Sequence, residues 1–293
     1  MAILLNAITE GLLWAPMAIG IYITFRILKI ADLTSEGSYP LGAAVATIFI
    51  TKGLDPLVST LLAFLVGSLA GMITGLLMTK GKVPSILAGI LVMTGLYSIN
   101  LRIMGRSNVS LLNEPRITDF FDRFFDLPPF LGTMLVALIV LIIIIASLAF
   151  FLKVDLGQAL IATGDNTEMA RAMGINTDTM TILGLSLSNG LIALSGALIS
   201  QFNGYADISM GIGTLVIGLA GVIIAEIFFK NLTLGERLIS IPVGSILYRF
   251  VTSFVLTLGL NPNDLKLLSA IILGLFLSLP SLIAERKQRK IEE

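Results

Sequence analysis

Long apolar runs recur along this chain, and they restrict its fold more than any other feature. A helix needs roughly 20 apolar residues to cross the hydrocarbon core of a bilayer. Nine candidate runs lie at about 3–25, 37–51, 57–78, 84–101, 130–152, 180–202, 211–229, 238–258 and 266–284. Charged residues make up only 13% of the chain, against about 25% in soluble domains. The pattern predicts an all-α polytopic membrane protein with roughly 8–10 transmembrane or re-entrant helices.

Two of these runs differ from a simple membrane span. The run at 37–51 is short, and Asp32, Glu36 and Pro40 near its start would be costly in lipid. We therefore expect a broken or re-entrant segment there. The first run has no Lys or Arg before it and is about as long as a span, whereas a signal peptide has a basic start and a shorter apolar core. We expect it to be retained as a span.

The positions of Lys and Arg in the loops predict the orientation of the chain. If the polar segment 163–178 is cytoplasmic, the basic segments 79–82, 230–237 and 285–290 lie on the same side, as the positive-inside rule favours. We predict one transmembrane domain over 1–293 in the bacterial plasma (inner) membrane, with a cytoplasmic C-terminus. Its expected parts outside the bilayer are an external loop at 102–129, a cytoplasmic loop at 153–179 and a cytoplasmic tail at 285–293.

The residue types present exclude most enzymes. The chain has no Cys and no His, which removes thiolate and imidazole catalysis and most zinc sites. The nearest approach to a phosphate-binding loop, "GLLMTKGKV" at 75–83, has one residue too many between its glycines and Val83 where Ser or Thr is required. The net charge of the whole chain is zero, so no basic field indicates binding to nucleic acid. We expect no enzymatic activity, no cofactor and no metal.

Polar residues inside the apolar runs are candidates for a substrate pathway or for contacts between helices. Charged residues within spans usually face a bundle interior or a wet cavity, and Glu10, Glu226 and Arg249 are the main ones here. For Arg249, a structural ion pair, a subunit contact and a pathway role remain open. The uncharged polar residues at 188–201 favour interhelical hydrogen bonds, with pathway lining as the alternative. The candidate pathway residues are Glu36, Asn189, Ser195, Gln201 and Arg249.

Two glycine clusters predict how helices pack. Gly67, Gly71 and Gly75 repeat every four residues, and such stripes of small residues let helix backbones approach closely in lipid. We expect a structural seam there. The denser glycines of "GIGTLVIGLAG" at 211–221 permit two interpretations, either packing or a broken helix that lines a pathway.

The segment "TGDNTEMARAMGINTD" at 163–178 is a polar interruption between two apolar runs. Asp165 or Asn166 is expected to cap a short helix, and Glu168, three residues after Asp165, gives an arrangement like a capping box. Gly174 is a natural C-terminal stop. A helix of about two turns is not stable alone, so it needs support from another surface.

The side chains of this short helix predict a docking element. Its apolar side, with Met169 and Met173 four residues apart, suits insertion into a groove of another protein. The alternative is a helix that lies on the membrane surface or packs on its own bundle. The expected coupling residues are Asp165, Asn166, Glu168, Met169, Ala170, Arg171, Met173 and Gly174.

Three motifs in order along the chain resemble one transporter family. "EMARAMG" is similar to the cytoplasmic EAA-type loop of ABC importer permeases, with Glu168, Ala170 and Gly174 matching and Met169 standing where that pattern has its first Ala. "GDNTEMARAMGINTD" followed by "ALSGAL" resembles the branched-chain amino acid class of these permeases, and within it those for aromatic amino acids such as tryptophan. The early "GIYITFRILKIADLTSEGSYPLGAAVAT" is also similar to that class, so the likeness extends from about 11 to 284.

The resemblance implies the permease subunit of an ATP-binding cassette importer with an ABC permease bundle. Its expected partners are a separate ATP-binding subunit that binds the 165–174 helix, an external solute-binding protein, a second permease copy and membrane lipid. A homodimer is expected and a heterodimer is allowed. The alternative function is a secondary transporter or channel that works without an ATPase partner.

Overall fold

The computed structural model describes residues 2–117, 119, 129–229 and 232–257, together with positions 267, 270, 271 and 274. Within these ranges the α-helices are α1 Ala2–Tyr22, α2 Ser35–Thr51, α3 Pro56–Thr79, α4 Ser85–Met104, α5 Pro129–Lys153, α6 Asp155–Asp165, α7 Thr167–Ala172, α8 Thr177–Asn203, α9 Thr214–Phe228 and α10 Leu234–Thr257. A π-helical turn, Ile23–Ile27, continues α1, and a 3₁₀ turn, Ile208–Gly211, precedes α9. Two short strands, β1 Asn108–Ser110 and β2 Tyr205–Asp207, pair antiparallel.

The described part of the chain contains seven helices that are long and apolar enough to cross a membrane. They correspond to seven of the nine expected runs. The run at 37–51 forms α2, which has only 17 residues. Most of the run at 266–284 lies outside the described residues, as does the tail at 285–293. The polytopic all-α fold class is therefore confirmed.

Helix α8 lies at the centre of the bundle, with 78% of its spanning part buried. It packs on α1, α2 and α3, and small residues bring the backbones together. A Cβ atom added at Gly71 would lie 2.1 Å from the carbonyl oxygen of Leu185, and one added at Gly42 would lie 1.8 Å from that of Ala193. The glycine stripe of α3 is therefore confirmed as a packing seam against α8.

Helix α2 begins inside the protein rather than at its surface. Asp32 is only 3% exposed, and its carboxyl group accepts a hydrogen bond of 2.9 Å from the backbone N–H of Thr34. The hydroxyl of Ser35 donates to the backbone carbonyl of Asp32. These contacts satisfy polar groups at a helix start that water does not reach. The expected broken second segment is thus a short helix enclosed by protein, as the polarity of its first turn requires.

The chain is also broken between α8 and α9. Gly204 and Gly213 have positive φ angles of 77° and 84°, and Gly213 stands immediately before α9. Its backbone N–H donates to a carboxylate oxygen of Glu36 at 3.1 Å. Of the two interpretations of the 211–221 glycines, packing is observed at Gly211, Gly218 and Gly221, where an added Cβ atom would lie 2.0, 2.2 and 2.8 Å from Glu36, Ile21 and Ser245. The break at Gly213 agrees with the other interpretation, whose pathway lining remains a prediction. Part of the expected 102–129 loop is folded onto this break, because Val109 pairs with Ala206. The first residues of that expected loop belong to α4, which continues to Met104. Residues 118 and 120–128 lie outside the described part of the chain.

Candidate coupling helix and intramembrane polar groups

The short helix α7 is built by the residues at its two ends. The side-chain oxygen of Asn166 accepts a hydrogen bond of 3.0 Å from the backbone N–H of Met169, so Asn166 is the capping residue. Asp165 instead ends the preceding helix, α6. The arrangement like a capping box expected between Asp165 and Glu168 is therefore not formed. Gly174 follows the helix with a φ of 85°, a conformation that favours glycine at a helix end.

The two methionines of α7 are its most exposed apolar side chains. Met169 is 61% exposed and Met173 is 69% exposed, and Glu168 beside them is also exposed. Ala170 is different, because it is only 2% exposed. The expectation that Ala170 belongs to the outward surface is corrected. The side chain of Ala170 faces the rest of its own chain and packs α7 against it. The exposed apolar surface consists of the two methionines, and we call it the methionine knob.

Ion pairs and hydrogen bonds connect α7 to the ends of the longer helices. Lys29, just after α1, lies 3.0 Å from Asp165. On the other side, the guanidinium of Arg171 donates to Thr177 at 2.7 Å and to Asp178 at 3.1 Å, at the start of α8. Arg171, one of the expected coupling residues, has an exposed side chain whose head group joins α7 to α8. Helix α7 is thus joined to α8 through Arg171, and to the end of α1 through Asp165, the last residue of α6.

Helix α6 supplies a tighter connection than these surface ion pairs. A Cβ atom added at Gly164 would lie 1.7 Å from the carbonyl oxygen of Ile27, and Leu160 is completely buried. Helix α6 therefore packs directly against the π-helical turn that ends α1. Since α6 and α7 follow each other without a loop of any length, the methionine knob is attached to the core through packed backbone.

Charged residues from four separate segments meet at this end of the bundle. Besides the pairs already described, Arg26 contacts Glu226, and Lys80 lies 4.0 Å from Asp178. The segments 26–29, 79–82, 165–178 and the end of α9 are thus on one side, as the distribution of Lys and Arg predicted. Glu226, one of the three charged residues noted within the apolar runs, is thus paired with Arg26.

Three of the five expected pathway residues are completely buried within the protein. The amide of Asn189 donates to Asp32 at 2.7 Å and accepts from the hydroxyl of Ser38 at 2.7 Å. Ser195 donates to the carbonyl of Leu13, and Gln201 donates to Thr60 and accepts from the backbone of Ile117. Hydrogen bonds to other segments, the interpretation that the sequence favoured over pathway lining, therefore use the polar atoms of these three residues. Buried polar groups require such partners.

The other two expected residues are only partly buried. Glu36 contacts the start of α9, as described above. The side chain of Arg249 is 20% exposed and lies 3.1 Å from Glu10, whose side chain is 31% exposed. The guanidinium of Arg249 also lies 4.2 Å from the ring centre of Trp14. Among the described residues no group of three or more His, Cys, Asp or Glu side chains is placed to hold a metal ion.

Sequence reasoning missed two features of these sites. Asp32 was noted only as a residue that would be costly in lipid, whereas it is buried and binds Asn189 across 157 sequence positions. The sequence D-x-T-S-E at 32–36 carries a helix-capping signal that could have indicated this role. The contact between Arg249 and Trp14 had no sequence signal, since the two residues are far apart along the chain.

Comparisons with known proteins agree with this architecture. The family described as "Branched-chain amino acid transport system / permease component" matches residues 3–278. A protein of Clostridioides difficile (strain R20291) named "Tyrosine transport system permease protein" is 43% identical over 275 residues, covering 94% of this chain and 90% of that protein. "Uncharacterized protein RP368" of Rickettsia prowazekii (strain Madrid E) is 38% identical and covers 97% and 99% of the two chains.

One solved structure shows the same fold at low sequence identity. It is titled "PsaBC from Streptococcus pneumoniae in complex with Fab", with a TM-score of 0.51, 17% identity, and coverage of 94% of this chain and 89% of the other. The extent of the family match and the identity to full-length relatives decide the assignment. The chain belongs to the branched-chain amino acid permease family, the multi-pass membrane subunits of ATP-binding cassette transporters.

Proposed function

We propose that this permease imports an aromatic amino acid and is driven by a separate ATP-binding subunit that holds the methionine knob. The observation that carries the proposal is the exposure of Met169 and Met173 on a short helix that is joined to α1 and α8. Methionine side chains are flexible and adapt to the shape of a partner groove. A helix laid into such a groove is a recurrent docking mode.

Coupling in this proposal is mechanical. When ATP closes the paired ATP-binding subunits, the knob moves with them, and the packed contact of Gly164 against Ile27 passes the motion to α1. Arg171 passes it to α8 through Thr177 and Asp178. Because α8 packs on α1, α2 and α3, a tilt of α8 displaces the centre of the bundle. Rigid-body motions of this kind are common in switching proteins.

The remaining partners follow from the two ends of the bundle. The end with the methionine knob is cytoplasmic in this proposal. We expect the C-terminus on the same side. The opposite end, with the β1–β2 pair, is where an external solute-binding protein delivers the substrate. A second copy of this chain completes the pathway, as a homodimer within membrane lipid.

The substrate class is proposed from the relatives. A permease that is 43% identical over nearly the whole chain is named for tyrosine transport, and this agrees with the resemblance of the 163–178 segment to permeases for aromatic amino acids. The alternative, a secondary transporter or channel, requires uptake by this chain alone.

ATP-driven uptake in proteoliposomes tests the proposal. The full chain is reconstituted with its ATP-binding subunit and solute-binding protein, and uptake of labelled tyrosine and tryptophan is measured. We expect the ATP-binding subunit to co-purify with the permease, and uptake to require both ATP and the binding protein. Uptake by the permease alone under an ion gradient, without ATP, would show that the alternative is correct.

Charge substitutions in α7 test the docking surface itself. Met169→Glu and Glu168→Arg should lower ATP-driven uptake by about tenfold or more, because truncating or repelling a central contact commonly costs 2 kcal/mol or more. Gly174→Pro should do the same, since its φ of 85° is closed to proline. Met169→Leu, which keeps an apolar side chain of similar size at the same position, is the matched control and should transport normally. Unchanged uptake by Met169→Glu, Glu168→Arg and Gly174→Pro would remove this role.

A further inference from the structure

A charged and aromatic cluster lies between the membrane-spanning helices α1 and α10 and the short helix α2. Glu10 and Arg249 form an ion pair of 3.1 Å, and the guanidinium of Arg249 stacks over Trp14 with 4.2 Å to the ring centre. On the α2 side, the ring of Tyr39 lies 5.4 Å from that of Trp14, tilted by 35°. Helices α1 and α10 approach closely here, because a Cβ atom added at Gly11 would lie 2.6 Å from the Cα of Ile246.

The cluster contains polar atoms that have no partner in the protein. The Nε of Arg249 and the hydroxyl of Tyr39 are buried without a hydrogen bond. An ion pair inside a bilayer already carries a desolvation cost that well-packed apolar residues would avoid. Unsatisfied donors add to that cost. A purely structural role explains neither the unused donors nor the partial exposure of both charged side chains, 20% and 31%.

The arrangement matches the chemistry of an amino acid. A free α-amino acid carries an ammonium and a carboxylate on one carbon, with no net charge, and the pair presents the complementary charges with no net charge of its own. We propose that Glu10, Arg249 and Trp14 form a binding station for an aromatic amino acid zwitterion. Arg249 takes the carboxylate, Glu10 the ammonium and Trp14 the aromatic side chain. This inference rests on the proposed function, because it names the substrate-binding residues of that transport.

In this structure Glu10 and Arg249 pair with each other. Each side chain holds the other in place of the substrate, so the two charges remain compensated between transport events. Arg249 gains the most on binding, because its Nε is free to add a second bond to a carboxylate, and bidentate pairs are the stronger ones. Transfer of each charge from its neighbour to the substrate exchanges one ion pair for two.

Cavities place the station on a line between α1, α9 and α10. A cavity of about 10 Å³ adjoins Trp14 and Arg249 and is lined on its other side by Gly218 and Ser245. Towards the end with the methionine knob, the same three helices enclose a second cavity of about 420 Å³ that contains Tyr22 and Glu226. A separation of these helices during transport would join the two cavities. The first cavity is too small for the substrate, as expected of a closed state.

The fluorescence of Trp14 reports directly on this station, because the chain has a single tryptophan. The full-length permease is purified alone, and tryptophan emission is recorded while L-phenylalanine is added. We expect a saturable change in emission. Phenethylamine lacks the carboxylate and 3-phenylpropionate lacks the ammonium, and each should bind at least about tenfold more weakly, since each forfeits one hydrogen bond to a charged group. Absence of a saturable change, or equal affinity for all three compounds, would overturn the station.

Two substitutions assign the charges. Glu10→Gln should weaken the binding of L-phenylalanine about tenfold or more. It should leave the binding of 3-phenylpropionate unchanged or strengthen it. Arg249→Gln should show the reverse preference, for phenethylamine. Asp165→Asn is the matched control, since it breaks an ion pair with Lys29 that lies outside both cavities, and it should bind L-phenylalanine as the unchanged protein does. Unaltered binding by both Glu10→Gln and Arg249→Gln would contradict the assignment. Far-UV circular dichroism and the elution volume in size-exclusion chromatography verify that each variant is folded, since replacement of Arg249 itself changes the surroundings of Trp14.

Transport assays separate this inference from the proposed function. If the unchanged transporter imports amino acid with ATP while Glu10→Gln imports it equally well, the station is refuted and the function stands. If the unchanged transporter shows no ATP-driven uptake, the function fails, and the binding measurements still decide the station.

Discussion

The hydrogen bond between Asn189 and Asp32 is expected to contribute strongly to stability. Substitution Asn189→Leu keeps the size of the side chain but removes its amide. Asp32 then loses the donor at 2.7 Å, and the hydroxyl of Ser38 loses its acceptor at 2.7 Å. Both groups are buried, with Ser38 at 0% and Asp32 at 3% exposure, so water cannot replace the lost partner. Each unsatisfied group costs about 1–3 kcal/mol, and we expect a loss of about 3 kcal/mol in the free energy of unfolding.

A double-mutant cycle isolates the contribution of the pair. In an Asp32→Ala background only Ser38 remains to lose a partner, so Asn189→Leu should cost about 1–1.5 kcal/mol there. The difference, about 1.5–2 kcal/mol, is the coupling between the two residues. Polar pairs between membrane helices often contribute less, about 0.6 kcal/mol on average. The larger value is expected here because the network gives Asp32 no alternative donor from α8.

Unfolding of the full chain in mixed micelles, followed by its tryptophan emission, provides the measurement. Ser188→Ala, one position earlier on α8, is the control, since it removes a neutral hydrogen bond to the carbonyl of Gly20. It should cost about 1 kcal/mol and be insensitive to Asp32→Ala. Equal costs of Asn189→Leu in the two backgrounds, or a cost below about 0.5 kcal/mol, would refute the reasoning.

Three further predictions concern packing, pH and surface charge. Gly42→Leu should prevent folding, because even a Cβ atom would lie 1.8 Å from the carbonyl of Ala193, whereas Gly95→Ala has open space and should give a normal yield of folded protein. At Asp207, burial opposes ionisation, but hydrogen bonds from Ser209 and Asn108 outweigh it and lower the pKa below its ordinary value of 3.8. The stability that this carboxylate contributes is fully present above its ordinary pKa of 3.8 and is lost as the pH falls through the lower pKa of the folded state. Asp207→Asn should therefore melt at a lower temperature than the unchanged protein at neutral pH, and the two melting temperatures should converge in acid. Lys29→Ala breaks a pair with Asp165 whose side chains are 57% and 68% exposed, so the melting temperature should hardly change; a large drop would show that this contact is not a surface ion pair.

Much of this architecture follows from the sequence alone because the physical constraints are local. A run of apolar residues must be helical in lipid, since no water is present to satisfy its backbone. Short stretches of residues likewise predict the polar segment 163–178 with its cap by Asn166, the seam at Gly71 and the clustering of basic loops at one end. The three family motifs, including "EMARAMG", were equally readable from the residue order.

The tertiary structure decided how polar residues from distant segments are paired. Ala170 and Met169 are neighbours in the sequence, yet Ala170 faces the protein at 2% exposure and Met169 faces outward at 61%. Which side of α7 is buried depends on how the helix packs against the rest of the chain. The burial of Asp32 beside Asn189, and the meeting of Glu10 with Arg249 under the ring of Trp14, depend on how α1, α2, α8 and α10 cross. Composition shows that a charge inside a membrane needs a partner; only the packing of the helices selects which partner it receives.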